Sequence, residues 1–99
     1  MTTYVIARIR EIMDPDRFDE YRTGMPAALA QYGGRYLVRG ALEDVAEGGE
    51  PERIAVIEFP SREAADTFWN SEEYTALRNL REGATIVQIG IVDGVMPQP

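Results

Sequence analysis

A glycine pair, Gly33-Gly34, separates a stretch of helical period from a stretch of strand period, and this boundary constrains the fold more than any other feature. Upstream, Phe18, Tyr21, Met25, Leu29 and Tyr32 recur every three or four residues and make one apolar helical stripe. Downstream, Arg35 to Leu42 reads as a strand. Glycine ends a helix without the steric cost that a Cβ brings to a left-handed cap. The helix opens at Asp14-Pro15-Asp16, with Asp14 as N-cap and Pro15 at the first helical position. Pro26 falls within the stripe and is expected to kink or interrupt the helix.

The same punctuation divides the rest of the chain. Thr3 to Arg10 alternates as a strand. Residues 43 to 52 hold Glu43, Asp44, Glu47, Gly48, Gly49, Glu50, Pro51 and Glu52, a polar connection read as a solvated hairpin loop and not a cation site. Ile54 to Phe59 is a third strand, stopped by Pro60-Ser61, where Ser61 caps a helix carrying Ala64, Ala65, Phe68 and Trp69. Asn70-Ser71 breaks it, and Ser71 recaps a second helix with Tyr74, Leu77 and Leu80. Gly83 ends that helix, and Ile86 to Val92 is the last strand. The order predicts an α+β, ferredoxin-like βαββαβ fold: a four-stranded antiparallel sheet with its helices on one face. One domain spans 1–99, with its core at about 3–94 and a tail at 95–99.

Composition narrows the chemistry. The net charge of −7 argues against nucleic acid or anionic lipid as partners. No apolar run is long enough for a membrane span, and Met1-Thr2-Thr3-Tyr4 lacks a signal peptide's features, so a cytoplasmic location is expected. All ten basic residues are Arg; Lys, His and Cys are absent. Ser/His and Cys/His nucleophiles, Schiff bases, thiolate or imidazole zinc sites and a His-ligated haem are thereby removed, and no metal or cofactor is expected. Gly33-Gly34 follows a helix instead of preceding one, so it is not a phosphate loop.

Sorting the strands by parity gives two unlike faces. Val5, Ala7, Ile9, Tyr36, Val38, Ala55, Ile57, Phe59, Val87, Ile89 and Ile91 form a nearly pure apolar set that should lie under the helices. The opposite set includes Tyr4, Ile6, Arg8, Arg10, Arg35, Leu37, Arg39, Ile54, Val56, Glu58, Ile86, Gln88 and Val92. A sheet face that mixes large apolar groups with charges suggests a homodimer formed through that face. Any charge buried there needs a partner, and Arg39 or Arg8 with Glu58 is the candidate pair.

Several blocks together make the chain resemble the bacterial family known as domain of unknown function 1330. They are Asp14-Pro15 with Tyr21, Tyr32 to Gly40, Glu47-Gly48, Arg53, Glu58-Phe59-Pro60-Ser61, Trp69, Ser71 with Tyr74, and Arg81. One departure is visible: the family usually places an aromatic shortly after the Glu-Gly pair, where this chain has Gly49 and Glu50. The resemblance implies a dimeric α+β barrel, an architecture shared with cofactor-independent monooxygenases, muconolactone isomerases and haem-degrading enzymes.

Two functional readings follow. In the first, the homodimer binds a small apolar or anionic metabolite in a barrel cavity, with Arg8, Arg39, Glu58, Tyr4 and Trp69 as binding residues. Glu58 is then the best candidate for acid–base chemistry, with Arg39 or Arg8 stabilising an enolate or carboxylate. An adjacent Arg would lower the pKa that such chemistry needs raised. In the second, the chain is a non-catalytic dimerisation or interaction module whose interior ion pair specifies assembly.

Overall fold

The computed structural model describes residues 2–41, 45–50 and 52–95. Glu43, Asp44 and Pro51 of the predicted hairpin connection lie outside the described residues, while Glu47, Gly48, Gly49 and Glu50 are exposed. The elements are β1 (Thr3–Ile12), α1 (Pro15–Gln31), β2 (Arg35–Ala41), β3 (Arg53–Phe59), α2 (Arg62–Trp69), α3 (Glu72–Arg81) and β4 (Thr85–Asp93). The strands form one antiparallel sheet in the order β2-β3-β1-β4. This is the predicted βαββαβ arrangement, with its second helix divided in two.

The helix boundaries follow from local hydrogen bonding. Asp14 Oδ1 accepts the Arg17 amide at 3.2 Å, and Ser61 Oγ accepts that of Ala64 at 3.1 Å. Ser71 works in both directions: its hydroxyl donates to the Phe68 carbonyl at 2.7 Å and accepts the Tyr74 amide at 3.1 Å. One side chain thus closes α2 and opens α3. Pro26 does not interrupt α1, which runs through it unbroken. Pro26 is exposed, so water can reach the carbonyl one turn back, which lacks a helical donor.

The two glycines of the opening pair serve different purposes. Gly33 has φ +76°, the left-handed geometry of a helix stop. Gly34 is limited by packing, because a Cβ there would stand 2.6 Å from Phe59 Cε1. Phe59 is fully buried and packs in an aromatic cluster centred on Phe68, with ring centroids 5.3 Å from Phe59 to Phe68 and 4.8 Å from Phe68 to Tyr74. Val5, Met25, Leu29, Ile57 and Ala65 complete the core between helices and sheet. Gly24 brings α1 close to α3, with Leu77 Cδ2 only 2.5 Å from where its Cβ would be.

Strand parity holds for β1, β3 and β4 along their central pairs and fails in the middle of β2. Tyr36 faces Ile57, but the next ladder partner, Val38, faces Val56. Leu37 and Val38 together oppose one residue, a β-bulge that reverses the alternation beyond it. Val38, expected beneath the helices, is exposed on the open face, and Arg39, expected on the open face, faces Ala55 on the helix side.

Candidate functional site

The bulge gives Arg39 its position. Beyond it, Arg39 and Tyr36 share the helix-facing side of β2, and the Arg39 guanidinium stacks 4.7 Å from the Tyr36 ring centroid. Arg53, at the start of β3, pairs with Ile9 and Ala41 and lies on the same side, two residues from Ala55. The helices cover this end of the sheet incompletely. Between α1 and the sheet is an open cavity of about 70 Å³. Small and branched residues, among them Ala7, Ala55, Ile57 and Ile89, make its floor, and Phe18, Tyr21 and Tyr36 make its walls.

Four arginines line this cavity: Arg22 from α1, Arg39 from β2, Arg53 from β3 and Arg81 from α3. No carboxylate is among the lining residues within the described part of the chain. Arg22 lies 5.8 Å over the Phe18 ring and 3.9 Å from the exposed Asp19 carboxylate. Arg81 lies 5.5 Å over Tyr21 and donates through Nη2 to the Tyr74 hydroxyl at 3.3 Å. Its Nε is buried with no acceptor among the described residues. Positive charge therefore borders an apolar chamber from three directions: sheet, α1 and α3.

The cavity phenols are held protonated. Burial, followed by the neighbouring Tyr74, pushes the Tyr21 phenol well above its ordinary range, and the two hydroxyls share a hydrogen bond of 3.2 Å. Burial also raises Tyr36, against the opposing pull of Arg39. At neutral pH both are uncharged hydrogen-bonding groups on an apolar wall.

Of the residues singled out in the sequence, only Arg39 reaches the cavity. Glu58 faces Tyr4 on β1 and lies on the opposite side of the sheet, where Arg35 Nη2 holds it at 2.9 Å. The expected Arg39–Glu58 pair does not form, because the bulge puts the two on opposite faces. Arg8 does not reach Glu58 either. It pairs with Glu52, through contacts of 3.0 and 3.3 Å. Tyr4 shares the open face with Glu58 and Val92. Trp69 is half-buried against Tyr74, at 5.0 Å between centroids, with the Arg78 guanidinium 4.4 Å over its ring.

Arg22, Arg53 and Arg81 were missed. Starting β3 one residue earlier would have added Arg53 to the face of Ala55 and Ile57. Arg22 follows Phe18 by four residues and Arg81 follows Leu77 by four, so each extends an inward-facing helical row.

The open face carries Leu37, Val38, Ile86 and Val92, each between 44% and 48% exposed, beside half-buried Ile6, Ile54 and Val56. Its ion pairs, Arg35–Glu58 and Arg8–Glu52, are each satisfied within the chain. No helix is long and apolar enough to cross a membrane among the described residues.

Solved structures of similar shape agree with this architecture. A protein of unknown function from Rhodopseudomonas palustris superposes with a TM-score of 0.79 at 14% identity, over 97% of this chain and 84% of its own. A dimeric ferredoxin-like protein of unknown function from Jannaschia sp. gives 0.73 at 11% identity, over 95% of this chain and 100% of its own. A cofactor-independent oxygenase from Streptomyces nogalater gives 0.65 at 11%, over 99% and 96%. At these identities the likeness establishes the ferredoxin-like fold and nothing finer. No curated protein matches the chain. A family model does, over residues 2–95, and with the sheet order and the Tyr32 to Gly40 turn it leads to one conclusion: the chain belongs to the domain of unknown function family DUF1330.

Proposed function

We propose that this protein is a homodimeric binder of a small apolar anion, held in the cavity between α1 and the sheet. The observation that carries this reading is the cavity's charge. Four guanidiniums line it, with no carboxylate among the described lining residues, in a chain whose net charge is −7. Ligand sites combine an apolar lining with a few convergent polar groups, as here.

Binding is favoured over turnover by what the walls offer. Glu58 is across the sheet, and beside the permanently charged guanidiniums the described lining offers only the phenols Tyr21 and Tyr36 as acid–base groups. Both are raised in pKa, which suits donation to a ligand oxygen and not abstraction of a proton. The open face supports the dimer: it exposes large apolar residues, its Arg35–Glu58 and Arg8–Glu52 pairs are closed within the chain, and the Jannaschia neighbour is described as dimeric.

Naphthoate and uncharged naphthyl methanol make a matched test by thermal shift and calorimetry. Naphthoate at saturating concentration should raise Tm by on the order of 5 °C, and the alcohol much less. Arg39→Met should weaken naphthoate by about tenfold. Equal shifts with both compounds, or none with any aromatic anion, would sink the reading.

A further inference from the structure

The guanidiniums are unevenly distributed, and their distribution points to the ligand's head group. Arg39 and Arg53 lie on adjacent strands and one face; Arg39 opposes Ala55, and Arg53 is two residues along. That is the diagonal relation in a sheet, about 7–8 Å between backbone positions and within reach of long side chains. Arg22, one turn beyond Phe18 on α1, lines a recess at the mouth together with Arg53, Asp19 and Ile12. Arg22, Arg39 and Arg53 all border the cavity, and Arg81 stands apart beside Tyr21 and Tyr74.

The carboxylates near this mouth do not neutralise the group. Asp19 is 3.9 Å from Arg22 on the exposed side of α1, with its side chain 71% exposed. Glu52 and Glu11 line the neighbouring recess at the strand ends, and Glu52 is engaged by Arg8 at 3.0 Å. Among the described residues neither Arg39 nor Arg53 has a carboxylate within salt-bridge distance. Arg22 has a partial counter-charge in Asp19, whereas Arg39 and Arg53 have none among the described residues, and a bound anion offsets both best when it carries more than one charge.

A single carboxylate presents two oxygens and suits one forked guanidinium. Three guanidiniums supply up to fifteen N–H donors, since each has five. A head with three or four oxygens and two negative charges can engage all three planes. The floor beneath, with Ala7 and Ala55, leaves room for a flat body, and Phe18, Tyr21 and Tyr36 give it aromatic walls.

We infer that the cavity selects a flat apolar molecule bearing a doubly charged oxyanion head, either a phosphoryl group or two adjacent carboxylates, gripped at the mouth by Arg22, Arg39 and Arg53. This rests on the reading of the cavity as a ligand site and adds the charge of the head group to it.

Three probes with one ring system test it by calorimetry on the full chain at low salt and about pH 8: naphthoate, naphthyl phosphate and a naphthalene dicarboxylate with adjacent carboxyls. At that pH the phosphoryl group is a dianion, its second pKa being about 6. One or both dianions should bind about tenfold or more tighter than naphthoate, and which one does so separates the two sources. Arg53→Met and Arg22→Met should each weaken the dianions by more than they weaken naphthoate, shrinking that ratio towards unity. If the phosphate is preferred, lowering the pH to about 5 should weaken it several-fold as it becomes a monoanion. Melting curves of the variants establish that they fold. Dianions no tighter than naphthoate would overturn the inference and leave the cavity reading intact. No binding by any probe would overturn both.

Discussion

At the scale of single residues, burial and hydrogen bonding set the state of the tyrosines. Tyr21 is raised above its ordinary 10.0 chiefly by burial. Below pH 10 the folded and unfolded chains both keep that proton, so Tyr21 adds no pH dependence there. Above it the unfolded chain loses the proton first, and stability should fall as pH rises. Urea unfolding between about pH 9 and 11 should show this slope, and Tyr21→Phe should flatten it. Tyr32 and Glu73 act oppositely at the surface. The Tyr32 hydroxyl donates to Glu73 Oε2 at 2.7 Å, which lowers the carboxyl below its usual 4.5 and raises the phenol. The depressed carboxyl contributes stability above 4.5 that is lost as pH falls through its lowered value. In Tyr32→Phe, an NMR titration should find Glu73 back near the ordinary range; an unchanged value would remove the hydrogen bond as the cause.

At the scale of elements, helix ends and strand centres were legible, because a cap or a glycine acts on its own neighbours. Asp14, Ser61, Ser71 and Gly33 each stop or start a helix where the sequence puts them. The bulge was not legible. Leu37 and Val38 are both apolar and nothing local marks either as the extra residue; the two-against-one count exists only once β3 is alongside. That single unreadable feature displaced Arg39 and undid the proposed pair with Glu58. Arg53, Arg22 and Arg81 were hidden for another reason: an arginine at the end of an apolar row looks like the start of solvent. Gly34 was read as a helix stop, but its requirement is the Phe59 ring. Gly34→Ala should cost about 1–3 kcal/mol in urea unfolding, since the added methyl meets a buried ring that cannot withdraw. An unaltered midpoint would show that the ring has somewhere to go.

At the scale of the whole molecule, the two faces of the sheet divide the work. The helix side holds the core and the cavity, and the open side keeps its charges paired and leaves four large apolar residues exposed. A stable interface of standard size needs about 800 Å² from each partner, roughly what a four-stranded face supplies. Val38→Glu and Ile86→Glu should each shift the protein to monomer in light scattering at micromolar concentration, with helical circular dichroism preserved. A wild-type chain that is already monomeric would remove the dimer and leave the cavity untouched, because no open-face side chain is needed to form it. The bulge has one more consequence, for polymerisation. It lies on β2, an outer strand, and breaks the regular spacing of amide and carbonyl groups that another copy would need to extend the sheet sideways. Side-by-side growth of the sheet through β2 is thus hindered by the same extra residue that turns Arg39 towards the helices.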